Sequence, residues 1–218
     1  FTIGNHAYVN RNTSSYVAWN WKANTTPSKT YAVTVVSDSG NKYRFDGFGT
    51  SAVTLDLQEG GTYKFDQSHS SNSGHPFRFG TSANGSDYTK GVTTSGTPGN
   101  SGAYTQITVA AGAPTLYYAC SAHSGMGGQA NTNSTSGSSN FSGTIQSNNS
   151  ANTDAGFSIV AYEASGSAGT VGHGLSKAPE MMIVKHRDQA GTVWTTYYGD
   201  NTDYLRLNSY VPTIDAVE

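Results

Sequence analysis

One short loop holds the chain's only cysteine together with two other side chains that bind soft metals. His123 follows Cys120 by three residues, and Met126 follows His123 by three. A thiolate and a thioether beside an imidazole favour copper, and two His with one Cys and a weak axial Met form the ligand set of blue-copper centres. The loop supplies three of these ligands. We expect the fourth to be a histidine from a distant strand, and the best candidate is His75 in S-N-S-G-H-P-F-R-F.

The residues around the predicted ligands indicate how strands would position them. Pro76 pushes the preceding His75 into extended geometry and removes one ladder donor, so His75 is expected at the start or edge of a strand. Tyr118, two residues before Cys120, is expected on the same strand face, where it would shield the metal. His69 is close enough in sequence to support His75 indirectly, although a solvated loop position is the simpler interpretation.

Two other interpretations of the same four residues stay open. Zinc would accept one Cys and two His in a tetrahedral site if Met126 stays out or water enters. Alternatively, Cys120 is a small buried hydrophobic residue, Met126 fills a gap in the core, and both histidines are hydrogen-bonded loop residues without a metal.

Length and composition predict an all-β chain with two units. The chain has 218 residues with 12% charged residues and 26 glycines, which suits many short strands joined by polar turns. A net charge of -2 with scattered basic residues argues against nucleic acid and membrane partners. No catalytic Ser/His/Asp set, paired carboxylates or phosphate-binding glycine loop is found in the sequence, so an enzyme is not indicated.

Four segments are predicted along the chain. Residues 1–23 are read as terminal strands of one β-sandwich unit, in which Val17, Trp19 and Trp21 share a face. Residues 30–130 contain short strands at hairpin spacing and form the main domain. Residues 131–153, rich in Ser, Thr and Asn, are predicted to be a linker, and residues 154–218 begin a second sandwich unit. The chain reads as a piece of a longer protein.

Residues of the main domain resemble the cupredoxin family. Y-A-C-S-A-H-S-G-M is similar to the last strand and short ligand loop of that family, with spacing C-x2-H-x2-M, and G-H-P-F is similar to its upstream histidine motif. The resemblance implies a Greek-key sandwich holding one copper ion. The ligands that it implies are His75, Cys120, His123 and Met126. Electron-transfer members usually carry a loop-locking, hydrogen-bonding residue where this chain has Pro76, which counts against a tuned redox site more than against metal binding.

The flanking segments, residues 9–22 and 152–188, resemble a β-sandwich unit of tail-associated and other structural proteins of marine bacteriophages. This resemblance implies a virion location, with other virion subunits as partners, a homo-oligomer or a larger chain, and a possible host-surface receptor or glycan. We therefore expect a structural or adhesive virion component with a copper-binding module. The alternative is a blue-copper electron carrier with His123 as the electron port. A weaker alternative is a carbohydrate-binding sandwich, suggested by Trp19, Trp21 and Trp194.

Overall fold

The computed structural model of the chain describes residues 27–83, 85–207 and 214–215. The strands predicted within residues 1–23 lie outside this part. The strands of the described part are, in chain order, β1 (Ser28–Ser37), β2 (Asn41–Phe45), β3 (Leu55–Asp56), β4 (Thr62–Asp66), β5 (Phe77–Gly80), β6 (Val92–Ser95), β7 (Tyr104–Thr108), β8 (Leu116–Cys120), β9 (Gly128–Asn131), β10 (Ser138–Asn140), β11 (Ser147–Asn152), β12 (Phe157–Tyr162), β13 (Met181–Lys185), β14 (Trp194–Tyr198), β15 (Asp200–Arg206) and β16 (Ile214–Asp215).

The all-β prediction is confirmed. Besides strands, the described residues contain one short 3-10 turn at Ser70–Asn72, and no helix among them is long and apolar enough to cross a membrane. Strands β1 to β9 form a sandwich of two sheets, called here the first sandwich. One sheet has the order β2-β1-β4-β7-β6 and the other has the order β3-β9-β8-β5. Strand β1 pairs with β2 antiparallel and with β4 parallel.

The two sheets share one aromatic core because apolar side chains alternate along their strands. Tyr31 and Val33 of β1 point inward with Tyr63 and Phe65 of β4, while the residues between them face outward. The core comprises Tyr31, Val33, Tyr43, Phe45, Leu55, Leu57, Tyr63, Phe65, Phe77, Phe79, Ile107, Val109, Leu116, Tyr118, Cys120, Met126, Ala130 and Phe141. Rings stack closely within it, with Phe65 and Phe77 centroids 4.7 Å apart. Burial of these rings supplies most of the apolar stabilisation.

Residues 131–153, predicted to be a linker, contain the strands β10 and β11. Strands β10, β11 and β12 form one antiparallel sheet, which crosses the predicted boundary at residue 154. Phe141 follows β10 and is 3% exposed, with its ring 5.7 Å from those of both Tyr31 and Phe45. This segment therefore contributes an aromatic side chain to the core of the first sandwich.

Polar side chains fasten the same segment to the first sandwich. The two carboxylate oxygens of Asp56 each accept a hydrogen bond of 2.7 Å, one from the Asn131 amide and the other from the Asn148 amide. The Asp56 N–H donates to the Ser139 hydroxyl at 2.7 Å, and the Tyr31 hydroxyl donates to the Ser139 carbonyl at 2.8 Å. Each of these bonds involves a side chain. They could not be predicted from the sequence, in which the segment is only a polar stretch.

The last sheet, β13-β14-β15-β16, exposes much of its apolar surface. Four consecutive side chains of β13, from Met181 to Val184, are each 39–50% exposed, and Tyr198 of β14 is 73% exposed. Successive strand residues point to opposite faces of a sheet, so both faces of β13 meet solvent in this chain. The strands predicted after residue 154 thus lie at the expected places, with many of their apolar side chains exposed.

Candidate metal centre

Strand pairing brings the His75 segment next to the end of β8. Strand β5 pairs with β8 so that Phe77 lies opposite Cys120, and His75 precedes Phe77 by two residues. The Ser121 N–H donates to the Pro76 carbonyl at 3.0 Å, just beyond the paired strands. Two segments that are 45 residues apart in sequence are thereby held side by side.

Glycines shape the loop that joins β8 to β9. Gly125 has a φ of 72°, a conformation that costs little only for glycine. A Cβ atom on Gly127 would lie 1.7 Å from the Tyr118 carbonyl oxygen, so the returning chain can pass this close to β8 only without a side chain. The loop therefore turns sharply after Cys120 and brings His123 back over the end of the strand.

His75, Cys120 and His123 converge in space. The Nδ1 atom of His75 lies 3.9 Å from the Cys120 Sγ atom, and the Nδ1 atom of His123 lies 3.6 Å from the same sulfur. The two imidazole centroids are 4.7 Å apart. One ligand atom from each of the three residues lies within 4.8 Å of the other two, so the cluster can hold one metal ion.

These separations agree with the size of a metal ion placed between the three atoms. Metal–sulfur bonds of about 2.3 Å and metal–nitrogen bonds of about 2.0 Å, at tetrahedral to trigonal angles, put sulfur and nitrogen about 3.5–3.8 Å apart. The two observed sulfur–nitrogen distances, 3.6 and 3.9 Å, need little adjustment to match. Ligation therefore demands only small side-chain movements.

The environment of His75 favours its neutral, metal-binding form. Burial lowers the pKa of His75, and the nearby His123 imidazole lowers it further. The Nε2 atom, on the far side of the ring from Cys120, lies 3.5 Å from the Asn41 amide. Ligation through Nδ1 places a proton on Nε2, which the Asn41 amide oxygen can accept once the amide is turned.

Access to the cluster is one-sided. Cys120 is 4% exposed and His75 is half-buried, whereas His123 and its loop neighbours from Ser121 to Gly125 are exposed. The Ala122 N–H points at the sulfur from within the loop, 3.4 Å away. A metal ion would reach the buried sulfur past His123.

Met126, predicted as the fourth ligand, is 1% exposed and belongs to the core of the first sandwich. Its carbonyl accepts the Tyr43 N–H at 2.9 Å, which fixes the end of the ligand loop against β2. Its thioether as an axial ligand stays a prediction.

Sequence reasoning missed Tyr43, which lies in β2 and contacts both ligand segments. Besides its N–H bond to Met126, its hydroxyl donates to the His75 carbonyl at 2.9 Å. The Gln67 amide donates to the same carbonyl at 2.8 Å. Burial raises the pKa of Tyr43, and the neighbouring Cys120 side chain raises it further. Only its place in a strand was predictable, because these contacts span 32 to 83 residues of sequence.

Other predicted side chains lie elsewhere. Tyr118 is buried on the same strand as Cys120, but its hydroxyl donates to the Val53 carbonyl at 2.6 Å. His69 caps the 3-10 turn, where its Nδ1 atom accepts the Ser71 N–H at 3.2 Å. The Nδ1 atom of His173 accepts the Leu175 N–H at 3.0 Å in a turn. None of these belongs to the three-residue cluster.

Comparison with known proteins concerns the second half of the chain. Residues 129–215 match a domain of unknown function (DUF7483). The matched segment begins within β9, directly after the ligand loop, and contains β10 to β16. None of the predicted metal ligands lies within it. No curated protein and no solved structure matches the chain.

Proposed function

We propose that this chain is a structural or adhesive component of a bacteriophage virion, of the tail or fibre type, whose first sandwich binds one copper ion. The observation that carries the copper assignment is the convergence of His75 and His123 on the Cys120 sulfur. The donor set of one thiolate and two imidazoles suits copper, with zinc as the lesser alternative.

The role of the metal in this proposal is to brace the sandwich. The ion would join the His75 segment to the loop after β8, closing a long stretch of chain that has a single cysteine and therefore no internal disulfide. A metal present at a hundred times its Kd adds about 2.7 kcal/mol to the free energy of unfolding. Such bracing suits a protein exposed outside the cell.

Assembly into a particle is supported by the sequence resemblance of the flanks and by the apolar surface of the last sheet. All the large apolar side chains that are markedly exposed in the described part lie between residues 159 and 207. Large apolar side chains grouped at the surface mark contacts with other proteins. We therefore place neighbouring virion subunits, including further copies of this chain, against this sheet.

The second candidate is a blue-copper electron carrier, which is favoured by one observation. His123 is exposed while Cys120 is buried, so a bound copper would reach the surface through a single imidazole. The residues around His123 are Ser121, Ala122, Ser124 and Gly125, which provide little apolar surface for docking a redox partner. Because so little apolar surface surrounds His123, the structural role is the better supported of the two.

The metal assignment is tested by titrating the full chain with Cu(II) and separately with Zn(II). Wild type is compared with Cys120→Ser and His75→Ala, and with His186→Ala as the control, because His186 is exposed and outside the cluster. We expect an intense visible thiolate-to-copper band and a raised Tm in wild type and in the control, and neither in the other two variants. A zinc-induced shift without any copper band would reassign the site to zinc, and no response to either metal would refute metal binding.

The virion assignment has its own test. An antibody raised against the chain is applied to purified phage particles and located by electron microscopy. Labelling of a tail or fibre is the expected result, whereas its presence only in the infected-cell fraction without particles would contradict a structural role.

A further inference from the structure

Tyr43 contacts the candidate metal centre through both its main chain and its side chain. Its N–H donates to the Met126 carbonyl at 2.9 Å and its hydroxyl donates to the His75 carbonyl at 2.9 Å. The first bond holds the end of the ligand loop, and the second holds the upstream histidine. One residue of β2 thereby contacts both segments that supply the candidate ligands.

The ring of Tyr43 is itself immobilised. It is fully buried and packs on Phe77 with centroids 5.1 Å apart, and Phe77 pairs with Cys120 across β5 and β8. The Tyr118 ring lies 6.5 Å away on the same side. The phenol oxygen is therefore fixed by packing rather than by the ligand loop, which is the condition for a group that positions its neighbours.

We propose that Tyr43 is the positioning residue of this centre: it holds His75 and the ligand loop at metal-binding distance. The inference rests on the proposed copper site for its effect on a bound metal ion. The positioning itself concerns the metal-free protein and stands without copper.

The test compares the full chain with Tyr43→Phe and Tyr118→Phe. Both substitutions remove one buried hydroxyl from neighbouring tyrosines of the same core, and each loses one bond to a backbone carbonyl. Each is expected to lower the free energy of unfolding to a similar degree. A merely structural role predicts that the two variants behave alike at the metal centre.

The metal-free readout is the rate at which iodoacetamide alkylates Cys120. We expect about fivefold faster reaction in Tyr43→Phe, because loss of one hydrogen bond loosens the loops around the sulfur, and an unchanged rate in Tyr118→Phe. The copper readout is the position of the visible band and the Kd for copper. In Tyr43→Phe alone, the band is expected to shift and the Kd to rise.

The outcomes separate this inference from the copper proposal. A wild type without a copper band refutes copper binding, yet a faster thiol reaction in Tyr43→Phe would still support the positioning role. Equal alkylation rates in all three proteins, or equal changes in the two variants, would overturn the inference even when copper binds.

Discussion

The Pro76 carbonyl accepts the Ser121 N–H at 3.0 Å, which ties the segment of the first predicted ligand to the loop of the other three. Proline cannot supply the side-chain hydrogen bond expected at this position from the cupredoxin resemblance. Its carbonyl joins the two segments instead, and the Tyr43 hydroxyl and the Gln67 amide hold the neighbouring His75 carbonyl.

Pro76→Ala should therefore leave metal binding almost unchanged. The bond uses a carbonyl that alanine retains, and the main expected cost is about 0.4–1 kcal/mol from greater freedom of the unfolded chain. Urea unfolding and the copper titration check this. Loss of the copper band in this variant, with the fold intact, would mean that the proline ring itself orients His75.

Gly127→Ala is expected to displace the ligand loop. The added Cβ atom would collide with the Tyr118 carbonyl, and such overpacking costs about 1–3 kcal/mol. Gly49→Ala is the matched control, because a Cβ atom there would meet nothing within 4 Å. The measurements are the free energy of unfolding and the Kd for copper. Gly127→Ala is expected to lower the first and raise the second, and Gly49→Ala is expected to change neither. Equal behaviour of the two variants would contradict the close approach.

Phe141→Ala is expected to cost about 3–5 kcal/mol, because it empties a ring site enclosed by Tyr31, Phe45 and Phe48. Ile159→Ala serves as the control, since Ile159 is 49% exposed and should change little. Denaturant unfolding of the full chain gives both values. A loss below about 1 kcal/mol at Phe141 would show that residues 131–153 are not integral to the first sandwich.

Lys29 should make stability rise between pH 8 and pH 10. Burial lowers its pKa to about 8, although the Asp46 carboxylate partly offsets the effect. An unfolded lysine titrates near 10.4, so in this window the unfolded chain binds more protons than the folded one and raising the pH favours folding, by about 3 kcal/mol in total. The raised pKa values of buried tyrosines act above pH 10 in the opposite sense.

The check on Lys29 is a comparison of wild type with Lys29→Met by urea unfolding at pH 7, 8, 9 and 10. The variant also loses the hydrogen bond from the Lys29 amine to the Ser139 carbonyl. The difference in unfolding free energy at pH 7 measures that loss and serves as the baseline for the other pH values. The difference in unfolding free energy is expected to change in favour of wild type as pH rises. A difference independent of pH would refute the lowered pKa.

Self-association is expected to depend on the last sheet. Ile183→Lys places a charge on the exposed apolar surface of β13, where Ile183 is 45% exposed, and should weaken association without unfolding the chain. Thr93→Lys on exposed β6 adds the same charge elsewhere. Sedimentation velocity over a range of concentrations distinguishes the variants. A wild type that stays monomeric throughout would contradict association between copies.

The convergence of His75, Cys120 and His123 could be predicted because most of the residue types and spacing that indicate it are local. Cys120, His123 and Met126 fall within seven residues, and Pro76 indicated an extended segment at His75. The positions of most strands in residues 30–130 followed from alternation, as for Tyr63 and Phe65 in β4. Tyr43 could not be recognised, because a core tyrosine and a tyrosine that holds a ligand loop have the same local pattern.

The strands in residues 131–153 could not be predicted for a different reason. Ser138, Ser139 and Asn140 are buried, yet none is apolar, so the segment lacks the alternation by which strands are recognised. Its place is set by hydrogen bonds to distant partners, such as the 2.7 Å bond between the Tyr63 and Ser138 hydroxyl groups. Polar composition alone indicates a linker unless these partners are known.

Strand β9 lies between β3 and β8 within its sheet, and it also joins the ligand loop to the rest of the chain. Tension applied to the chain beyond Asn131 would therefore enter the first sandwich as shear across two rows of hydrogen bonds, rather than peeling an edge strand away. The loop from Ser121 to Gly127 lies at the far end of that strand. A metal ion held there would cross-link the start of β9 to the His75 segment. Metal loading would then set the force at which the sandwich opens.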